Sequence, residues 1–313
     1  MAFERAFRIL LAGALALLLA SCGGGSSVVT DFHPTRVVVF GDAMADMKLG
    51  SGATGLYTIN GDGSTNNWVR QLASYYGLTP LDVNVKAKAH ARITDTVDAV
   101  GGSANSVTSQ ISGWTGGFTA NDMVIVSAGT SDLIAEGYKA VKASPSQTES
   151  AATANVQRAA RELAAQIRQL VTSGAQHVVV LSPYNMGNTP WATSASRTTF
   201  LQDLTNEFYI ELVYYISDLS DKVLVVDARV QMNALILSSG YNGSTVACTL
   251  TATAPSAGVG IGAGTVDSSL CDATNTASGY DPKRYLFADP VYPTPLAHRL
   301  LGDYAYSKLR IRW

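Results

Sequence analysis

Four short, valine-rich apolar runs divide the chain, and the segments between them are long enough to hold helices. Residues 37–40, 123–127, 177–181 and 223–226 read as strands buried on both faces, as a parallel sheet requires. A weaker fifth run covers 81–85. The clearest helix spans about 151–172, where Val156, Ala160, Leu163, Ile167 and Leu170 recur at helical spacing and Gly174 supplies the stop. A second, about 198–217, turns Leu201, Leu204, Phe208, Leu212 and Tyr215 to one side. Asn67 to Ala73 opens another helix, and a last one, about 295–309, is expected to pack Leu296, Leu300, Leu301, Tyr304 and Leu309 inward. Such alternation predicts a doubly wound, mostly parallel sheet in a three-layer α/β/α sandwich. One domain over 35–313 accounts for it, with a patternless Gly/Ser/Thr/Asn insertion from Ser238 to about Tyr285.

The first residues follow a different pattern. Arg5 and Arg8 precede an apolar run from Ile9 to Ala20, shorter than the roughly 20 residues that span a bilayer. Residues 1–22 therefore read as a signal peptide. The run ends Leu19-Ala20-Ser21-Cys22, which looks like a bacterial lipobox with Cys22 as the acylated residue. Residues 23–34 then form a flexible tether. Acyl chains on Cys22 would make the membrane a partner, each buried methylene contributing about 0.8 kcal/mol. Gly24 is not the aspartate that resembles an inner-membrane retention signal, so the expected location is the cell envelope, at the outer membrane of a Gram-negative bacterium. In that oxidising compartment Cys248 and Cys271 are expected to pair, with two free thiols as the alternative.

Net charge is −2 and charged residues make up 15% of the chain, against roughly 25% in an average soluble domain. With no basic run or stripe, nucleic acid is not an expected partner. No His/Asp/Glu cluster has ligand spacing, so neither a metal nor another cofactor is expected.

In a doubly wound sheet the chemistry lies just beyond the strand ends. After the first strand stands Gly41-Asp42-Ala43-Met44, after the second Gly129-Thr130-Ser131-Asp132, and near the C-terminus Asp289-Pro290-Val291-Tyr292-Pro293. In this order the segments resemble the blocks of the SGNH/GDSL hydrolases, esterases and lipases, over nearly all of 37–309. The resemblance implies a serine nucleophile where Ala43 stands, an asparagine oxyanion donor where Ser131 stands, and a histidine base where Tyr292 stands. Its glycine block aligns near 84–92, with Ala89 and His90 in place of the oxyanion glycine. Gly41, Asp42, Gly129 and Asp289 are retained.

An alanine methyl cannot form an acyl-enzyme. A phenol with a pKa near 10 donates protons at neutral pH and cannot act as imidazole does. Losing one triad member already lowers the rate by a factor on the order of 10⁴ to 10⁶. The expectation is a pseudo-esterase whose cleft, lined by Gly41, Asp42, Ala43, Met44, His90, Gly129, Ser131 and Tyr292, still takes an acyl, carboxylate or glycan-ester ligand. Backbone N–H groups of a strand-to-helix turn at 41–44 are expected to favour an anion, and Asp289 to hold Tyr292. Alternatively, Tyr292 and Ala43 simply fill a vacated space. An active ester hydrolase with a rearranged site, using His90 or Ser131, and a structural envelope lipoprotein without ligand are the competing classes. His33, His177 and His298 read as structural.

Overall fold

The computed structural model describes residues 32–48, 55–61, 66–142, 144–253 and 258–313. The signal peptide, Cys22 and nearly all of the tether lie outside the described residues. The chain divides into two compact units. His33–Arg312 carries every described element, and in the other unit the Phe32 and Trp313 rings meet edge to face, centroids 5.8 Å apart.

The valine-rich runs form a parallel four-stranded sheet in the order β1 (Arg36–Gly41), β2 (Asp122–Ser127), β3 (His177–Leu181), β4 (Val223–Val226). Val37 pairs with Met123, Val124 with Val178, and Val179 with Leu224. On its other edge β1 meets Val85 in one parallel bridge, extended by Lys86 N–H to Val39 C=O (2.8 Å) and Lys88 N–H to Gly41 C=O (3.0 Å). The expected fifth strand at 81–85 is thus displaced toward the C-terminus, because Asp82–Asn84 turn as a 3₁₀ segment. The chain leaves β1 toward one edge and returns as β2 on the other, so the crevice of this sheet opens at the end of β1.

Eight helices lie among the described residues: α1 (Trp68–Ser74), α2 (Val107–Ser112), α3 (Thr130–Val141), α4 (Glu149–Thr172), α5 (Pro190–Ser194), α6 (Thr198–Ile216), α7 (Ala228–Leu237) and α8 (Pro295–Arg312). α2, α3 and α6 pack with α4, while α1 and α7 pack with α8, which also touches β4. These are the outer layers of the sandwich. In α4 every anticipated apolar position is buried, and Thr148 caps the helix by accepting the Ala151 amide (3.1 Å).

Two helix faces differ from the expected ones. In α6 the stripe continues to Ile216, and Tyr215 is 42% exposed. In α8 the buried side is Ala297, His298, Leu301, Gly302, Ala305 and Leu309, while Leu296, Leu300 and Tyr304 are only partly covered. The reason is close approach: a Cβ on Gly302 would lie 2.5 Å from Gln71 Cβ and 2.8 Å from the Trp68 carbonyl oxygen. Small residues therefore face α1, and bulk is displaced outward.

The insertion at 238–285 is not patternless either. It contains β5 (Asn242–Val246), which pairs in parallel with β6 (Tyr285–Phe287), and the Cys248–Cys271 disulfide, Cα atoms 5.8 Å apart. The sequence Asn-Gly-Ser-Thr-Val carries no apolar alternation, so β5 gives no periodic signal. The bridge sits in a small core with Ile59, Ala247 and Ala288.

His298 is 2% exposed, its Nδ1 has no partner, and burial pushes its pKa down to about 3. It is neutral when folded and charged below about pH 6.5 when unfolded. The unfolded state then binds more protons, so stability falls as pH drops from about 6.5 toward 3. Replacing His298→Leu should therefore shrink the loss of urea-denaturation stability between pH 8 and pH 5 by about 2 kcal/mol. An unchanged loss would show the imidazole to be protonated in the fold.

Candidate functional site

Gly41 ends β1 with φ +147°, and a Cβ there would lie 1.9 Å from the Ser127 carbonyl oxygen, so only glycine permits β1 and β2 to run this closely. The Gln110 side chain clamps this residue: its Oε1 accepts the Gly41 amide (2.8 Å) and its Nε2 donates to the Gly41 carbonyl (2.9 Å). Asp42 follows, fully buried. Its Oδ1 accepts the Met44 amide (3.1 Å) and its Oδ2 the Ser131 amide (3.2 Å), tying the β1 turn to the first turn of α3. Burial pushes this carboxyl up to about 7, the amides pull it down, and nearby Asp132 raises it further.

Ala43 is 7% exposed, and its amide makes no hydrogen bond to a described residue. The chain does not enter a helix here. The Ala45 and Asp46 amides return to the Asp42 carbonyl, both at 3.0 Å, in a closed turn. This corrects the expected strand-to-helix turn. The helix N-terminus that does reach the site belongs to α3, begun by Gly129 at φ +106°, where a Cβ would meet the Phe208 ring at 2.3 Å. Its Ser131 amide is engaged by Asp42, so that end already holds its anion.

Ser131 is fully buried and its Oγ has no partner, so no base activates it. Asp132 accepts from Arg92 Nε (3.2 Å) and from the Ile93 amide (3.1 Å), and burial raises it to about 6. Arg92 continues to Glu136 (2.8 Å) and Asp95 (2.5 Å), which fastens the loop carrying His90 to α3.

His90 has φ +63°, the left-handed conformation a glycine adopts freely. Its Nε2 is hydrogen-bonded to the Tyr57 hydroxyl, the ring centroids lie 4.7 Å apart, and its Nδ1 is buried without a partner. Burial lowers its pKa, so it is neutral at pH 7. Engaged by Tyr57, it is not bonded to Ser131.

Tyr292 is fully buried, with its ring centroid 4.8 Å from that of Tyr57 and its hydroxyl unpartnered. Burial, reinforced by Asp42, pushes the phenol well above its usual pKa. Asp289 holds this residue by its backbone, not its phenol: Oδ1 accepts the Val291 (2.8 Å) and Tyr292 (2.6 Å) amides. Its Oδ2 accepts the Ser268 amide (3.3 Å) and hydroxyl. Burial raises Asp289 to about 7. Tyr184 Oη donates to the Val291 carbonyl (2.6 Å) and fixes the same turn.

The structure thus joins Gly41, Asp42 and Met44 of the β1 turn to Ser131 at the start of α3, which Gly129 begins, and packs both His90 and Tyr292 against the Tyr57 ring. Tyr57, Gln110, Tyr184 and Ser268 had no sequence signal, being single polar or aromatic residues in loops and helices outside the matched blocks. His33 is exposed ahead of β1, His177 begins β3 at the end away from the crevice, and His298 packs inside α8. Among the described residues no group of three His, Cys, Asp or Glu side chains is placed to hold a metal ion.

A doubly wound sheet with these turns at its strand ends defines an esterase-type α/β scaffold. The model of the GDSL-like lipase/acylhydrolase family matches residues 37–305, and the chain belongs to that family. A curated Pseudomonas putida protein, described as an uncharacterized protein in the trpE-trpG intergenic region, is 26% identical over 160 residues. That match covers 51% of this chain and 26% of the relative, so it spans about a quarter of the relative's length. Among solved structures, the native aryl esterase of M. smegmatis superposes with a TM-score of 0.45 at 16% identity, over 89% of this chain and 99% of that one. Another superposes at 0.46 and 15%, over 89% and 97%.

For Asp289, ionisation occurs near pH 3.8 unfolded and near 7 folded. The folded state binds the extra proton in that window, so its stability contribution declines as pH rises from about 4 to 7. Asp289→Asn keeps an oxygen for the two amides and removes the charge. The variant should lose less urea-denaturation stability than the parent between pH 5 and pH 8. Parallel pH dependence would mean that Asp289 is ionised throughout.

Proposed function

We propose that this chain is a catalytically silent GDSL-family protein whose buried polar centre takes a neutral ligand. One observation carries the reading: Ala43 occupies the turn at the end of β1, and Tyr292, in the family base's position, is fully buried with an unpaired hydroxyl. No nucleophile is present at the turn, and no described base is bonded to Ser131.

Three buried polar atoms, Ser131 Oγ, Tyr292 Oη and His90 Nδ1, lack partners in this region. Each unsatisfied buried group costs on the order of 1–3 kcal/mol, which favours a polar guest or water over an empty space. The surrounding charge selects among the anticipated ligands. Asp46, Asp267 and Asp289 all raise the Tyr57 phenol, and Asp42 and Asp289 raise that of Tyr292. A carboxylate ligand is disfavoured there; a hydroxyl-bearing neutral group such as that of a glycan ester fits better.

The anchoring element of the proposal rests on the lipobox-like Leu19-Ala20-Ser21-Cys22 and the tether that follows. It places the folded unit on the periplasmic or outer face of the envelope.

The direct test is turnover of p-nitrophenyl acetate and butyrate by the purified chain. No hydrolysis above buffer is expected for the parent or for Ala43→Ser, because the restored serine still lacks a base. Turnover at 10³-fold or more above buffer, abolished by His90→Ala, would establish the rearranged hydrolase instead.

A further inference from the structure

A cavity lies beside the vestigial centre, and none of Gly41, Asp42, Ala43, His90, Ser131 or Tyr292 lines it. It is a cavity of about 670 Å³ between α3, the loop at 97–101 and the strap at 258–264. That volume falls within the ~300–1,000 Å³ typical of small-ligand sites.

The strap reads Gly258-Val259-Gly260-Ile261-Gly262-Ala263-Gly264, with glycine at every second position. Val259 (0% exposed) and Ile261 (9%) turn into the core, while all four glycines have positive φ. A Cβ on Gly260 would lie 2.8 Å from Ile134 Cγ2 and 2.9 Å from the Ala99 carbonyl oxygen, and one on Gly262 would lie 2.8 Å from Tyr138 Oη. Only glycines let the strap approach α3 this closely, and they leave peptide groups rather than side chains on that wall.

The facing walls carry Arg92, Asp95, Asp98, Tyr138 and Lys139. Their two cations and two carboxylates balance. Arg92 and Lys139 are both bonded to Glu136 at 2.8 Å. Asp98 uses Oδ1 for the Val100 (3.0 Å) and Gly102 (2.8 Å) amides, which leaves Oδ2 unengaged among the described residues. The Tyr138 hydroxyl likewise makes no hydrogen bond to a described residue.

This lining discriminates by chemistry. Asp95 and Asp98 repel an anion, no described group of three carboxylate, imidazole or thiol side chains is placed to hold a metal ion, and the charged side chains around the cavity do not suit an acyl chain. What remains is a neutral molecule that offers both donors and acceptors together with small carbon faces. We propose that the cavity binds a neutral saccharide of about disaccharide size. Asp98 Oδ2 accepts from ring hydroxyls, Tyr138 Oη and the strap's peptide groups exchange hydrogen bonds with them, and Val97, Ala99 and Ala135 meet the C–H faces. This site stands independently of the ligand assigned to the vestigial centre.

The test is calorimetric and NMR titration of the full chain, in a zwitterionic detergent free of sugar headgroups, with maltose, cellobiose and N,N′-diacetylchitobiose. At least one should bind saturably. Affinity should fall about tenfold or more in both Tyr138→Ala and Asp98→Ala, less in Tyr138→Phe, and remain unchanged in Tyr292→Phe, with circular dichroism showing each variant folded. The proposal is overturned if no disaccharide binds at tens of millimolar. It is equally overturned if binding survives Tyr138→Ala, or if it responds to Tyr292→Phe instead, which would move the sugar to the vestigial centre.

Discussion

The buried carboxylate of Asp42 is the constraint on which the rest of the centre depends. It sits in the interior with no cation bonded to it among the described residues, and is held by the amides of Met44 and Ser131. Those bonds span the end of β1 and the start of α3, so one side chain fixes the position of the alanine turn relative to the helix that follows β2. Burying a carboxyl is costly unless its lone pairs are filled, and a pKa near 7 is the sign of that cost. Removing the nucleophile next door does not relieve this arrangement, because the amides that Asp42 satisfies belong to the backbone. The scaffold role of the turn is therefore separable from the presence of a nucleophile in it, and this chain has the bonded turn with alanine at position 43.

The same separation appears at the other end of the site. Asp289 uses both carboxylate oxygens on the Val291 and Tyr292 amides and on Ser268, so it holds a turn rather than orienting a base. Ser268 lies three residues before Cys271, and Asn60 donates from its amide (3.0 Å) and its side chain (2.9 Å) to the Cys271 carbonyl. The disulfide thereby connects three segments: the loop at 57–60 that brings Tyr57, the turn at 268–271, and the turn bearing Tyr292. A covalent crosslink restricts the unfolded chain and, in this place, also keeps the Tyr57 and Tyr292 rings in contact.

How much of this was legible depends on whether a feature is periodic or relational. The four strands are unbroken apolar runs and α4 repeats an apolar spacing over many residues, so the local pattern alone reveals them. Ala43, Ser131 and Tyr292 were legible because Gly41-Asp42, Gly129 with Asp132, and Asp289 with Pro293 frame them in fixed spacing. α8 was half legible: its existence follows from its pattern, but its buried face is set by how closely α1 approaches, a distance that no local pattern encodes. Tyr57, Gln110 and Ser268 were not legible at all, since each matters only through a partner 33, 69 or 21 residues away.

His90 shows how a relational feature can alter chemistry without altering the frame. A side chain in a left-handed backbone position is unusual, and histidine is among the few residues that tolerate it. Once placed there, its imidazole must be accommodated, and Tyr57 does so by hydrogen bond and edge-to-face contact. The Tyr57 ring in turn packs on Tyr292. Three bulky rings therefore pack together, with Tyr57 touching both others. Restoring serine at the turn would leave that packed cluster in place, so the proposed silence does not rest on one missing hydroxyl. The Asp42 node holds the turn in position regardless, and this is why the fold can carry such a cluster without losing its architecture.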